Sequence, residues 1–153
     1  MNGSQNLLGL ALLLVASAAV ADPSAKPDAC QLRISKAWVR AAPPGTMMMA
    51  GYATVTNPCA TPALIVGADS SDFGDVSVHE TVVEGGISRM RALPALPVPA
   101  GARVEFAPGG AHLMLMAPAR PMPEGSQAHI RLRLQDGSEL VAVYQVRREA
   151  PAR

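Results

Sequence analysis

Between residues 30 and 148 the sequence is cut into short runs by glycines and prolines, and this punctuation limits the fold more than any other feature. Proline breaks a helix interior, and glycine weakens one. No stretch between the breaks carries an apolar period of 3.6 residues. The runs alternate apolar and polar residues instead, which is the period of a half-buried strand. Many short strands at regular spacing with Pro/Gly turns predict an all-β domain, a Greek-key sandwich or barrel.

The first run starts at Cys30. Leu32 and Ile34 share one parity and Ala37 and Val39 the other, so a β-bulge is expected near Ser35-Lys36. AAPPGTMMMAG follows and reads as a loop, because its two prolines cannot sit in a central strand. Strands are expected over 51–57 and 63–66, then a hairpin pairing 76–83 with 87–92 across Gly85-Gly86. Further strands are expected over 103–106 and 111–116, and a last hairpin pairs 130–134 with 140–146 across Asp136-Gly137.

At 153 residues the chain is long enough for one domain with a real core. Its net charge of +1 and lack of a basic block argue against nucleic acid as a partner. Leu7 to Val20 is apolar, too short to span a bilayer securely, and ends in an Ala19-Val20-Ala21 cleavage pattern. We read residues 1–21 as a secretory signal peptide, 22–29 as a flexible leader, 30–148 as the β-domain and 149–153 as a short tail. No membrane insertion is expected after cleavage. MNGSQN lacks the Lys or Arg usual before such a segment, and an uncleaved anchor is the alternative. Export implies an oxidising compartment, where the chain's two cysteines, Cys30 and Cys59, are expected to form a disulfide; two free thiols are the alternative.

Strand parity also sorts the residues that carry chemistry. In AHLMLM, Leu113 and Leu115 point to the core, while His112, Met114 and Met116 share the opposite face. With Gly85-Gly86 as the turn, Thr81 lies opposite Met90, so His79 and Met90 are diagonal neighbours on one face. The same register sets Glu80 opposite Arg91. Each segment thus offers one His and one Met, and a four-ligand site needs only that the two faces approach. His129 shares its face with Arg131 and Arg133, which repel a metal ion, and is assigned to solvent. Thioethers are soft and never protonated, and imidazole binds copper in either oxidation state, so two His with two Met favour Cu(I). Zinc prefers Cys, His and carboxylates. A blue-copper centre needs a thiolate beside histidine, and neither cysteine has one nearby. The competing reading is structural, with Met90 as core filler, HLMLM as a buried strand and His79 as a hydrogen-bonded surface residue.

The spacing itself resembles that of a known family, the periplasmic PCu(A)C copper chaperones. Their signature is His, ten residues, Met, twenty-one residues, then His-x-Met; here it reads His79, Met90, His112-Leu113-Met114. The resemblance extends from Ala37 to Val146 through AWVRAAPPG, AGYATVTN, LIVGADS, MRAL and the Pro-Gly-Gly before His112. It implies a cupredoxin-like Greek-key β-barrel that binds Cu(I) through His79, Met90, His112 and Met114. It further implies delivery of copper to the dinuclear centre of a respiratory haem–copper oxidase subunit, alongside a thiol-containing assembly factor. Two features depart from the family pattern. Met47-Met48-Met49 follows the Pro-Pro-Gly turn, and reads as loop filler or as an auxiliary copper contact; Met116, on the ligand face, is a further auxiliary candidate. The tail lacks the His and Met that some relatives carry. The cysteine pair lies outside the signature and is assigned to structure alone.

Three functions compete on these grounds: a copper carrier, a copper buffer without a dedicated acceptor, and an adhesion or assembly module without metal. Catalysis is not expected, because the site offers no nucleophile–base pair once its histidines are committed to copper.

Overall fold

The computed structural model describes residues 30–150. The expected signal peptide and leader lie outside the described residues, as do the last three residues of the tail.

Ten strands follow in chain order: β1 (Arg33–Arg40), β2 (Met48–Thr56), β3 (Ala63–Ser70), β4 (Phe73–Glu84), β5 (Ile87–Ala92), β6 (Leu96–Val98), β7 (Arg103–Phe106), β8 (Ala111–Pro118), β9 (Gln127–Leu134) and β10 (Glu139–Arg147). They form one hydrogen-bonded sheet in the order β5-β4-β8-β2-β1-β10-β9-β3-β6, with β7 paired to β2. β3 and β4 are consecutive in the chain but far apart in this order, yet they touch, so the sheet curls back over its own core. The architecture is the all-β, cupredoxin-like arrangement. The β1–β10 pair is parallel.

Alternation places the core. In β9, Ala128, Ile130, Leu132 and Leu134 are buried and the residues between them exposed. His129 is among the exposed ones, beside Arg131 and Arg133, although its ring also faces Asp72 at 3.3 Å. In β8 the fully buried leucines Leu113 and Leu115 face the same core. The change of parity in β1 is a bulge. The register jumps between Ser35 and Trp38, leaving Lys36 and Ala37 opposite Ala53, and Lys36 takes φ of 52°. The Gly85-Gly86 turn pairs Glu84 with Ile87, Thr81 with Met90 and His79 with Ala92, as the two-residue turn requires.

Two readings need correction. Met48 and Met49 are not in a loop: β2 begins at Met48, only three residues after the Pro-Pro-Gly turn. Met49 points inward and is buried among the core side chains. The segment before Arg103 holds an additional strand, β6, despite Pro97. It is tolerated because β6 is the edge strand beyond β3, where a missing N–H leaves no ladder bond unmade.

Cys30 and Cys59 are bonded, with Cα atoms 5.5 Å apart. The bridge ties the start of β1 to the loop after β2. Asn57, fully buried in that loop, has its side chain satisfied: Nδ2 donates to the carbonyls of Thr61 and Val98, and Oδ1 accepts from the Cys59 N–H.

Candidate metal site

The four residues singled out by spacing meet on one face of the sheet. β4 and β8 are immediate neighbours, so the two segments do not approach across a gap; they form a single continuous face. Directly opposite residues of an antiparallel pair share a face. Across β5, β4 and β8, one row reads Ala92, His79, His112. The next row reads Ser77, Met114 and Ala50 across β4, β8 and β2, and the third reads Asp75, Met116 and Met48. Met90 enters from β5, one step diagonal to His79. On the other face of the β4–β5 hairpin, Glu80 pairs with Arg91 as the register predicts.

The rings of His79 and His112 stand 6.1 Å apart. Their hydrogen bonds prepare both for a cation. Nδ1 of His112 lies 3.0 Å from the carbonyl oxygen of Gly110. A carbonyl only accepts, so Nδ1 carries the proton and Nε2 presents its lone pair. That Nε2 is buried and meets no hydrogen-bond partner. On His79, Nε2 lies 3.1 Å from the Ser77 hydroxyl, and Nδ1 is the buried atom without a partner. A buried polar atom left unpaired costs about 1–3 kcal/mol. When the Ser77 hydroxyl accepts from His79 Nε2–H, His79 Nδ1 also presents a lone pair, and one cation between the facing rings can take both. The pKa of His79 is lowered from its ordinary value, first by burial and then by the neighbouring His112, with Asp75 opposing. The ring is therefore neutral at neutral pH, as a metal ligand must be.

Met90, His112 and Met114 line one cavity of about 310 Å³, together with Met48, Ala50 and Arg40. Exposure is graded across the set. His112 is 5 % exposed, His79 and Met114 are half-buried, and Met90 on the edge strand is 53 % exposed. Arg40 also lines this cavity, its guanidinium stacked 5.4 Å from the Tyr52 ring and 5.9 Å from that of Trp38. A larger groove of about 870 Å³ lies alongside and contains no histidine; Met47 faces this groove rather than the His/Met cavity.

The donor set fits a soft cation. Two imidazoles and two thioethers are all neutral, and thioethers bind hard ions poorly. Among the described residues no three His, Cys, Asp or Glu side chains gather as a metal site, so zinc finds no donor set of its preferred kind. Both cysteines are in the bridge and far down the sheet. Spacing alone did not reveal Ser77 and Gly110, which orient the two rings. Ser77 was legible as the i−2 neighbour of His79 on the same strand face, whereas the Gly110 contact depends on the turn that precedes β8.

Comparison with known proteins places the family and the fold. Residues 32–146 match the family model described as LpqE-like, a lipoprotein family. A relative from Leifsonia xyli subsp. xyli (strain CTCB07), Lxx21020, described as a lipoprotein, is 40 % identical over 133 residues, covering 86 % of this chain and 76 % of its own. Among solved structures, the copper-bound PCuAC domain from PmoF2 superposes with a TM-score of 0.63 at 28 % identity, over 78 % of this chain and 93 % of that domain. The Cu(I) form of DR1885 from Deinococcus radiodurans superposes with a TM-score of 0.61 at 31 % identity, over 76 % of this chain and 77 % of that one. The chain belongs to the LpqE-like family, and its fold is that of the PCuAC domains.

Proposed function

We propose that this protein binds one copper ion as Cu(I) through His79, Met90, His112 and Met114, and carries it outside the cytoplasm to a copper-accepting protein. One observation carries the reading. Two histidines face each other across adjacent strands, each with a buried, unpartnered ring nitrogen, and two methionines flank them on the same face. The likeness to domains whose names record bound copper supports it. So do the described lipoprotein relative and the disulfide, which fit an exported protein. We place the mature protein in the periplasm and assign it no catalytic role.

The gradient of exposure sets the order of ligand exchange. Met90 is the ligand an incoming donor group reaches first, and a weak thioether is readily displaced. His112, buried and pinned by Gly110, is the last to let go. The acceptor we favour is the dinuclear copper centre of a respiratory haem–copper oxidase subunit, with a thiol-containing assembly factor taking part.

The test is an anaerobic Cu(I) titration against a competing chromogenic chelator. One equivalent is expected, weakened about tenfold or more by His112→Ala and by Met114→Leu. Failure to retain Cu(I) against even a weak competitor overturns the site. Deleting the protein under copper limitation is expected to lower oxidase activity; unchanged activity would leave a copper buffer and remove the delivery role.

A further inference from the structure

Two methionines extend the ligand face beyond the four-residue site. Met114, Met116 and Met48 lie on neighbouring positions of β8 and β2: Met116 is two residues beyond Met114, and Met48 is directly opposite Met116. The position opposite Met114 is Ala50, too small to screen the row. Met48 is 49 % exposed and Met116 37 % exposed, although each is a large apolar side chain in the middle of the sheet rather than at an edge strand. Met48 also lines the same cavity as Met90, His112 and Met114. The row ends on β4 at Asp75, an exposed carboxylate directly opposite Met116.

We propose that Met48 and Met116 form a second, weaker Cu(I) position, one step along the sheet from the primary site, through which the ion enters or leaves. This rests on the reading of His79, Met90, His112 and Met114 as the primary ligands. The chemistry favours a soft monovalent cation, because both donors are neutral thioethers. The Asp75 carboxylate offsets the ion's positive charge, which the two sulfurs leave uncompensated. Diagonal positions across neighbouring strands lie about 7–8 Å apart at the backbone, a span that long side chains bridge from both ends. Met48 therefore reaches towards an ion still held by Met114. Passage is an exchange of one thioether for another. Copper remains Cu(I), no electron moves, and no proton is released, since thioethers carry none.

The pair acts through soft donors, so Ag(I) serves as a redox-inert probe beside anaerobic Cu(I). The exported protein is labelled with ¹³C-methyl methionine, and the methyl resonances are assigned by single Met→Leu variants. The first equivalent is expected to shift Met90 and Met114. The second is expected to shift Met48 and Met116, while the buried Met122, outside that cavity, stays unmoved. Met48→Leu with Met116→Leu, at exposed positions that accept leucine, is expected to abolish the second shift and slow Cu(I) transfer to a chelator by about fivefold or more. Met116→Leu alone, at a residue outside the primary cavity, leaves the first-equivalent affinity within about twofold. A second equivalent that leaves Met48 and Met116 unmoved, or that moves the exposed Met47 as strongly, overturns the proposal while the primary site stands. A first equivalent that bypasses Met90 and Met114 overturns the primary site and the second position with it.

Discussion

Removing the Cys30–Cys59 bridge tests whether the cysteines serve the fold alone. The bridge closes a segment with a sequence separation of 29. In the chain-entropy account, opening such a loop returns about 12 cal/mol/K to the unfolded chain, or about 3.6 kcal/mol at 25 °C. For a domain of this size, each kcal/mol moves the melting temperature by roughly 3–5 °C, so Cys30→Ala with Cys59→Ala is expected to lower it by roughly 10–18 °C. The proposed metal site should not notice. Thr56 and Met48 are the two ends of the nine-residue β2, about 26 Å apart at strand rise, and the bridge is anchored beyond Thr56 while the site lies at the Met48 end. Asn57 keeps its hydrogen bonds to Thr61, Val98 and the residue 59 N–H, so the loop retains its local order. The assay is thermal and urea unfolding of the double variant beside the oxidised parent, with a Cu(I) titration at a temperature where both are folded. A loss below about 1 kcal/mol would refute the entropic reasoning. A folded double variant that no longer takes up one equivalent of Cu(I) would refute the separation of bridge from site.

Three further outcomes are expected. Leu113→Ala, which empties a fully buried position between His112 and Met114, should cost about 2–5 kcal/mol, read from the shift in urea midpoint. Asp72 accepts hydrogen bonds from the backbone N–H of His129 at 2.8 Å and from Arg120 at 3.1 Å, and the first of these is the main cause of its lowered pKa. Its folded state thus binds fewer protons than the unfolded chain. The stability this gives is complete above the ordinary value of 3.8 and is lost as pH falls through the depressed one, so Asp72→Asn should flatten the acid limb of a stability–pH profile. His79, its pKa lowered chiefly by burial, should be half-protonated below the ordinary 6.5 in an imidazole NMR titration of the metal-free protein. Protons then compete with Cu(I) at His79 only on the acid side, and the contribution of His79 to affinity should be level above pH 6.5 and fall as pH drops through the depressed value.

The parts of the site that depend on local geometry are legible in the residues themselves. A Gly-Gly turn permits one hairpin register, and that register alone puts His79 and Met90 on one face. Alternation alone puts His112 with Met114 and Met116, away from the leucines. The parity change around Ser35-Lys36 announces a bulge, because a strand cannot switch its buried face without an extra residue. Where the residues mislead, proline is the reason. The Pro43-Pro44 pair suggests that the whole methionine run is loop, yet a proline restricts only its own residue and the one before it, so β2 is free to start at Met48. Pro97 hides β6 in the same way, because sequence does not say which strand is an edge.

The sequence by itself determined that the domain over 30–148 is all-β, which residues alternate inward, and which histidine and methionine share each strand face, because these depend on neighbours a few residues apart. Only the tertiary structure decided that β4 and β8 lie side by side, which sets His79 opposite His112, and that β2 adds Met48 to the same face opposite Met116. Strand order depends on how the whole sheet closes over its core, through contacts between segments tens of residues apart, and no local period records it. The same holds for the unpartnered nitrogens of the two rings. Their availability depends on Ser77 and Gly110 occupying one side of each imidazole and on burial keeping solvent from the other.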